Sequence, residues 1–277
     1  MIDEPTVERL CRVLEEDPDL AESLAEPARS LAARECIAQV IVLDSGPWLG
    51  THAELGLDSI GLLVLDGTLL RRVGVEGRFG AELLGQGDLL RPWQGEDEPP
   101  TLPTTTGWRV LEPARLAVLG DAFARRLARH PQIIGRIIGR AVTRSRNLAV
   151  NMAIVHQARV DVRLHMLFWH LAERWGRVRG DGVLLPLRLT HNDLADLVAA
   201  TRPTVTTALT ELARRNAAVP GPSGWLLVGD PPGELMELGP VAPTLANGAG
   251  PPRLTRACAP PSPGRPGATS PTRPSCA

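Results

Sequence analysis

Residues 189–212 read LTHNDLADLVAATRPTVTTALTEL, and the fold turns on this stretch. Thr190, with Asp193 three residues on, makes a variant capping box that opens a helix. Leu194, Leu197 and Val198 supply that helix with an apolar face, and Ala195 is small where a second helix must cross closely. Ala199-Ala200 make the turn. Thr201 is a second N-cap, and Pro203 falls in the first turn of the next helix, where a missing N–H is harmless. Val205, Leu209 and Leu212 give the second helix a buried side. Two short capped helices joined by a tight turn predict a helix-turn-helix. Its second helix presents its N-terminal residues to a DNA major groove.

On the C-terminal side, Ala217-Ala218-Val219, then residues 220–224, then Trp225-Leu226-Leu227-Val228 read as strand, turn and strand. With a strand over Leu184–Leu189 they predict a wing. On the N-terminal side, Val162, Met166, Trp169 and Leu171 mark an amphipathic helix over about 160–175, ended by Gly176, Gly180 and Gly182. Before it, Pro131 opens a longer helix in which Ile134, Ile138, Ala141, Ser145, Leu148, Met152 and Val155 recur in steps of four and three. A lone helix cannot hide such a seam. It implies a second copy of the chain, or packing on the chain's own N-terminal part.

From Ile37 to Leu119, short apolar runs alternate with turn signals, among them Asp44-Ser45-Gly46-Pro47 and Gly85-Gln86-Gly87-Asp88. This predicts a small antiparallel barrel or roll. Asp66-Gly67 within Leu65–Leu69 is the clearest hairpin turn, and the pattern turns helical after Pro113. Residues 1–35 read as helical, with Val7, Leu10, Val13 and Leu14 at helical spacing. Residues 231–277 are rich in Pro, Gly, Ala, Ser and Thr and are expected to be disordered.

All thirty basic residues are arginine. The net charge of −1 conceals an uneven distribution. Residues 1–122 hold 22 acids against 10 arginines, whereas residues 123–160 hold 8 arginines and no acid. Either the basic middle lies near a polyanion, or its arginines are solvated helix faces. No apolar run of about 18 residues exists to span a membrane, and the acidic N-terminus does not read as a signal peptide. Cys11, Cys36, Cys258 and Cys276 form no metal-binding pattern, and no cofactor is implied. A roll-based metal enzyme needs clustered histidines and carboxylates. Residues 37–119 contain one histidine, His52, so the chain does not read as an enzyme.

With its order of roll, long helix and winged helix-turn-helix, the sequence resembles the Crp/Fnr family of transcription regulators. The likeness runs without a gap through Leu189–Val205 and more loosely over residues about 37–230. Leu63-Val64-Leu65-Asp66-Gly67 resembles the roll's strand–glycine signature, and Gly85-Gln86-Gly87-Asp88-Leu89 its conserved turn. The resemblance implies an α+β chain: an N-terminal antiparallel β-roll, like a cyclic-nucleotide-binding jelly roll, over 1–122; a dimerisation helix over 123–159; and a winged helix-turn-helix over 160–230. It implies a cytoplasmic homodimer on palindromic double-stranded DNA, with RNA polymerase as a further partner. The dimer contacts would be Ile134, Ile138, Ala141, Leu148, Met152 and Val155. Arg202 matches the family's base-reading arginine, whose fork can bond guanine O6 and N7. Thr190, Thr201, Arg202, Thr204, Thr206 and Thr207 form the candidate DNA surface. Thr201 and Thr204 match phosphate-contacting positions, and Thr206 suits a thymine methyl. Pro203 and Thr207 depart from the cyclic AMP receptor protein, which places a glutamate and a second arginine there, so a different operator is implied.

The effector site departs further. Leu90-Arg91-Pro92-Trp93 follows the turn where the family has a Gly-Glu pair, and Thr104-Thr105-Thr106-Gly107-Trp108 stands where an Arg-Ser/Thr-Ala is expected. Phe79-Gly80-Ala81-Glu82 resembles a cassette fragment but precedes the turn. Binding of cyclic AMP is therefore not expected. The effector is unknown, and a module whose roll has lost sensing is the alternative.

Overall fold

The computed structural model describes residues 6–50, 59–92 and 102–232. The expected disordered tail, apart from Pro231 and Pro232, lies outside them, as do His52 and Trp93.

A first sheet runs in the order β1-β2-β7-β4-β5, with β3 added on β7 and β6 on β4, and every pairing is antiparallel. Its strands are β1 (Thr6–Arg12), β2 (Ile37–Leu43), β3 (Gly46–Trp48), β4 (Gly61–Val75), β5 (Arg78–Leu84), β6 (Leu89–Leu90) and β7 (Thr105–Leu119). Strand β4 shows why the two-residue period makes a roll. Leu63 and Leu65 enter one core with Leu20, Phe123, Leu127, Ile133 and Ile137. Leu62 and Val64 enter the other, with Ile41, Leu116 and the edge-to-face pair of Trp48 and Trp108.

Three local expectations are corrected. Helix does not fill residues 1–35. Thr6–Arg12 is strand β1, and helix begins with α1 (Val13–Glu16), followed by a 3-10 turn at Pro18–Ala21 and α2 (Ala28–Glu35). A short periodic apolar run suits either state. Here the β-branched strand β2 offers an open edge whose backbone groups β1 satisfies. Asp66-Gly67 is not a hairpin turn either. Both residues lie inside β4, where the register to β7 slips on each side of Asp66. The turn itself is Glu76-Gly77, with φ of +48° and +76°, joining β4 to β5. Gly67 has φ +91°, and a Cβ there would stand 2.4 Å from the Pro113 carbonyl oxygen. Its bulge lets β4 cross Pro113, which explains the third correction. The chain after Pro113 stays extended to Leu119, and helix resumes only at α3 (Asp121–Leu127). Gly67→Ala is therefore expected to cost roughly 3 kcal/mol, the upper end for a single substitution. A urea melt of the full chain measures it.

Helix α4 (Pro131–Val155) follows, 25 residues and about 37 Å long. Ile133 and Ile137 anchor its first turns on the roll. Three of its four arginines reach carboxylates, and the fourth, Arg146, is exposed. Arg140 pairs with Asp17 and Arg136 with Glu22, while Arg144 grips Glu82 through both Nε and Nη2. Arg129 of the linker pairs with Glu35, which also meets the buried His130. Half of the arginines in the basic middle of the chain thus pair with carboxylates of the acidic front.

After α5 (Val160–Trp175), the glycines taken as helix breakers serve a hairpin that the sequence did not reveal. It comprises β8 (Arg177–Arg179) and β9 (Gly182–Leu185), so the strand expected over Leu184–Leu189 starts two residues earlier and stops at Leu185, before Pro186, which has no N–H for the ladder. Helices α6 (His191–Leu197) and α7 (Arg202–Arg214) come next, then the wing strands β10 (Ala218–Gly221) and β11 (Gly224–Leu227). The second sheet runs β10-β11-β9-β8. Its core joins Phe168, stacked on Trp225 at 4.9 Å, to Leu194, Leu197, Val198, Val205, Leu209 and Leu212.

Candidate nucleic-acid interface

The cap that opens α6 is reciprocal. Thr190 Oγ1 accepts from Asp193 N at 3.2 Å, and Asp193 Oδ2 accepts from Thr190 N at 2.8 Å. The turn closes with Ala199 at φ +50° and Ala200 N donating to Ala195 O at 2.9 Å. Thr201 takes the N-cap position of α7. Its hydroxyl bonds Thr204 Oγ1 at 2.8 Å and caps no backbone N–H. Val205, Ala208, Leu209 and Leu212 are buried, so the other face stands free. That face carries Arg202, Thr204, Thr206, Thr207 and Thr210, all exposed. Arg202 has no hydrogen bond or ion pair among the described residues, and its fork is open for a ligand.

The threonines are less free than their exposure suggests. Thr206 donates to Arg202 O at 3.0 Å and Thr207 to Pro203 O at 3.2 Å. Each hydroxyl has one proton, and here the helix holds it. Toward a ligand on this face, both residues offer a methyl group and an oxygen acceptor. Because the Thr206 proton is committed, the 2.9 Å contact with His191 requires His191 Nδ1 to be the donor. His191 was missed from the sequence. Its only signal is its place directly after the N-cap, and its partner lies fifteen residues away.

The hinge between α4 and α5 is tied to the far end of α7. Asp161 accepts from Arg159 at 2.7 Å and from Arg215 at 2.6 Å. Burial works against its charge, but the two guanidiniums prevail and hold its carboxyl below the ordinary value of 3.8. A depressed folded value stabilises the fold above the unfolded value, and that contribution disappears as pH falls through the lowered one. Melting temperature measured from about pH 6 down to about pH 2 should thus fall less steeply below pH 4 in Asp161→Asn than in the parent.

The proposed dimer residues divide. Ile134, Leu148 and Val155 are half-buried, Ile134 against the roll core. Ile138, Ala141 and Met152 are exposed. The stripe that stays open along α4 is Gly135, Ile138, Val142, Ser145, Ala149 and Met152. It keeps the spacing of three and four but adds Val142, at 63% exposure beside 58% for Ile138 and 62% for Met152.

The part of the roll where the family resemblance would place an effector is crowded with ion pairs. Glu82 is held by Arg71 at 2.7 Å and by Arg144 at 2.6 Å. Asp88 closes its own turn by accepting from Gly85 N at 2.9 Å and also pairs with Arg174. A cavity of about 780 Å³ lies between this turn, α4 and α5. Thr105–Trp108 are part of strand β7. No group of His, Cys, Asp and Glu among the described residues is arranged to hold a metal ion, and no described helix is long and apolar enough to cross a membrane.

A second cleft, of about 530 Å³, separates roll from helix-turn-helix. Pro47, Trp108 and Arg109 face Asn192, Asp193 and Arg202 across it. Ion pairs bridge it: Arg109 with Asp193, and Arg72 with Asp196 at 2.6 Å. Burial pushes the Asp196 carboxyl above its ordinary value, against the pull of Arg72.

Residues 162–232 match the family described as the Crp-like helix-turn-helix domain. No curated protein matches the chain. Among solved structures, a mutant of CooA from Carboxydothermus hydrogenoformans aligns with a TM-score of 0.56 at 16% identity, over 84% of this chain and 97% of that one. FixK2 from Bradyrhizobium japonicum aligns with a TM-score of 0.51 at 14% identity, over 73% and 96%.

Proposed function

From a Crp-like helix-turn-helix domain carried on the fold of the Crp/Fnr regulators, we propose that this chain is a homodimeric, sequence-specific transcription regulator acting on palindromic DNA. One observation carries the reading most directly. Helix α7 buries one face and turns to solvent an arginine at its N-terminus that has no partner among the described residues, followed by a row of threonines. An Arg fork and threonine methyls suit base edges, and a helix N-terminus suits phosphate. Two copies pair along α4 and set their α7 helices into successive major grooves about 34 Å apart. RNA polymerase is the downstream partner, and the roll transmits a signal through the hinge at Arg159–Asp161. The chain is not an enzyme.

A binding-site selection with purified full-length protein tests this. An inverted repeat whose affinity falls steeply with salt supports it. Absence of salt-sensitive affinity for any duplex, with or without cell extract, refutes it. A second reading, a regulator whose roll no longer senses, is favoured by one observation: Arg140, Arg144 and Arg174 around the larger cavity are each already paired with a carboxylate. A small molecule from extract that raises the melting temperature would exclude it.

A further inference from the structure

Helices α6 and α7 meet through a polar bridge as well as through their shared core. His191, the first residue of α6, donates from Nδ1 to Thr206 Oγ1 at 2.9 Å, and Thr206 donates its own proton to Arg202 O at 3.0 Å. The two backbones are fixed. The Thr190–Asp193 cap holds the start of α6, and Leu194 and Leu197 share one core with Val205 and Leu209 of α7. Thr207 and Thr210 make the same backward bond, to Pro203 O at 3.2 Å and Thr206 O at 3.0 Å. Among the described residues, neither is also held from another helix. A backward bond alone leaves a helical threonine divided between two χ1 rotamers. A donor arriving from α6 favours the rotamer that turns Oγ1 toward α6. The place of the γ-methyl follows, because both groups share one tetrahedral Cβ.

We propose that His191 is a positioning residue for sequence reading: it locks Thr206 in one rotamer, whose methyl group meets the 5-methyl of a thymine close to the base read by Arg202. The inference rests on the DNA-binding reading above. Thr206 follows Arg202 by four residues, so the two share a face of α7 one helical turn apart, and both are exposed. A helical turn rises about 5.4 Å and successive base pairs about 3.4 Å. The thymine therefore falls within about two base pairs of the guanine. A methyl held in one place gains the full contact with its base, whereas one shared between two rotamers gains it only part of the time.

Two measurements on the full chain test this. Threonine-methyl NMR couplings read the Thr206 rotamer directly: a single rotamer is expected in the parent and an averaged coupling in His191→Ala. Competition reads the effect on DNA, between the selected palindromic duplex and copies in which each thymine near that guanine is replaced in turn, in both half-sites, by uracil. One buried methyl per half-site gives the parent about a fourfold preference for thymine at one position, or about sixteenfold over both half-sites. With two rotamers equally filled, His191→Ala lowers this to about sixfold. His191→Asn is expected to restore the parent's ratio, because its amide N–H stands as many bonds from Cβ as Nδ1 does. His191→Gln, whose amide lies one bond further out, is not. A loss of stability alone would not separate those two variants. The proposal is overturned by an unchanged rotamer or ratio in His191→Ala, by equal rescue with Gln, or by a parent that binds DNA with no thymine preference. If the parent binds no duplex while the rotamer change is present, the DNA-binding reading falls, and the reading role of the lock with it.

Discussion

With Ile138 and Met152 both replaced by glutamate, the protein is expected to sediment as a monomer at micromolar concentration. Its affinity for a palindromic duplex should fall by about a hundredfold or more. Both side chains are mostly exposed in the single chain, so the change leaves the core of each protomer untouched. In a two-fold pair each would face its own counterpart or a near neighbour, because an isologous interface meets itself. Four carboxylates would then be brought together out of water, at a cost of several kcal/mol. The loss of DNA affinity follows because the second half-site no longer benefits from being tethered to the first. Analytical ultracentrifugation and a duplex titration read the two effects separately. A dimer that survives with full affinity would place the seam elsewhere.

Arg202→Ala is expected to flatten base preference at one position of each half-site, by about 5- to 150-fold, while non-specific affinity changes little. Among the described residues the guanidinium has no hydrogen bond or ion pair, so its removal breaks none of theirs. Arg202→Lys should recover only part of the preference, since an ammonium cannot make the paired bonds of a fork. Repeating the binding-site selection with each variant checks this. An unchanged preferred base would assign the reading role to another residue of α7.

What could be read in the sequence was what is written locally. The capping pair Thr190–Asp193, the turn at Ala199-Ala200 and the apolar face of Val205, Leu209 and Leu212 lie within one or two helical turns of each other, and each stands where it was expected. Asp66-Gly67 was misread because the same dipeptide serves a turn or a bulge. The choice belongs to Pro113, on a strand more than forty residues away. The open face of α4 was read about one residue out of phase, since the roll covers part of the helix and shifts the exposed stripe onto Val142. The pairs Arg109–Asp193 and Arg72–Asp196 span 84 and 124 residues. No periodicity or spacing announces contacts of that range, which is why the link between roll and helix-turn-helix was illegible.

The joining of Asp17 and Glu22 to Arg140 and Arg136 has one more consequence. The protein carries its own counterions: a short N-terminal stretch cloaks cationic groups on α4, the helix that leads toward the helix-turn-helix. Replacing Asp17 and Glu22 with their amides would unmask those guanidiniums while leaving the core side chains in place, and on the proposed DNA-binding function it would add attraction to any nucleic acid whatever its sequence.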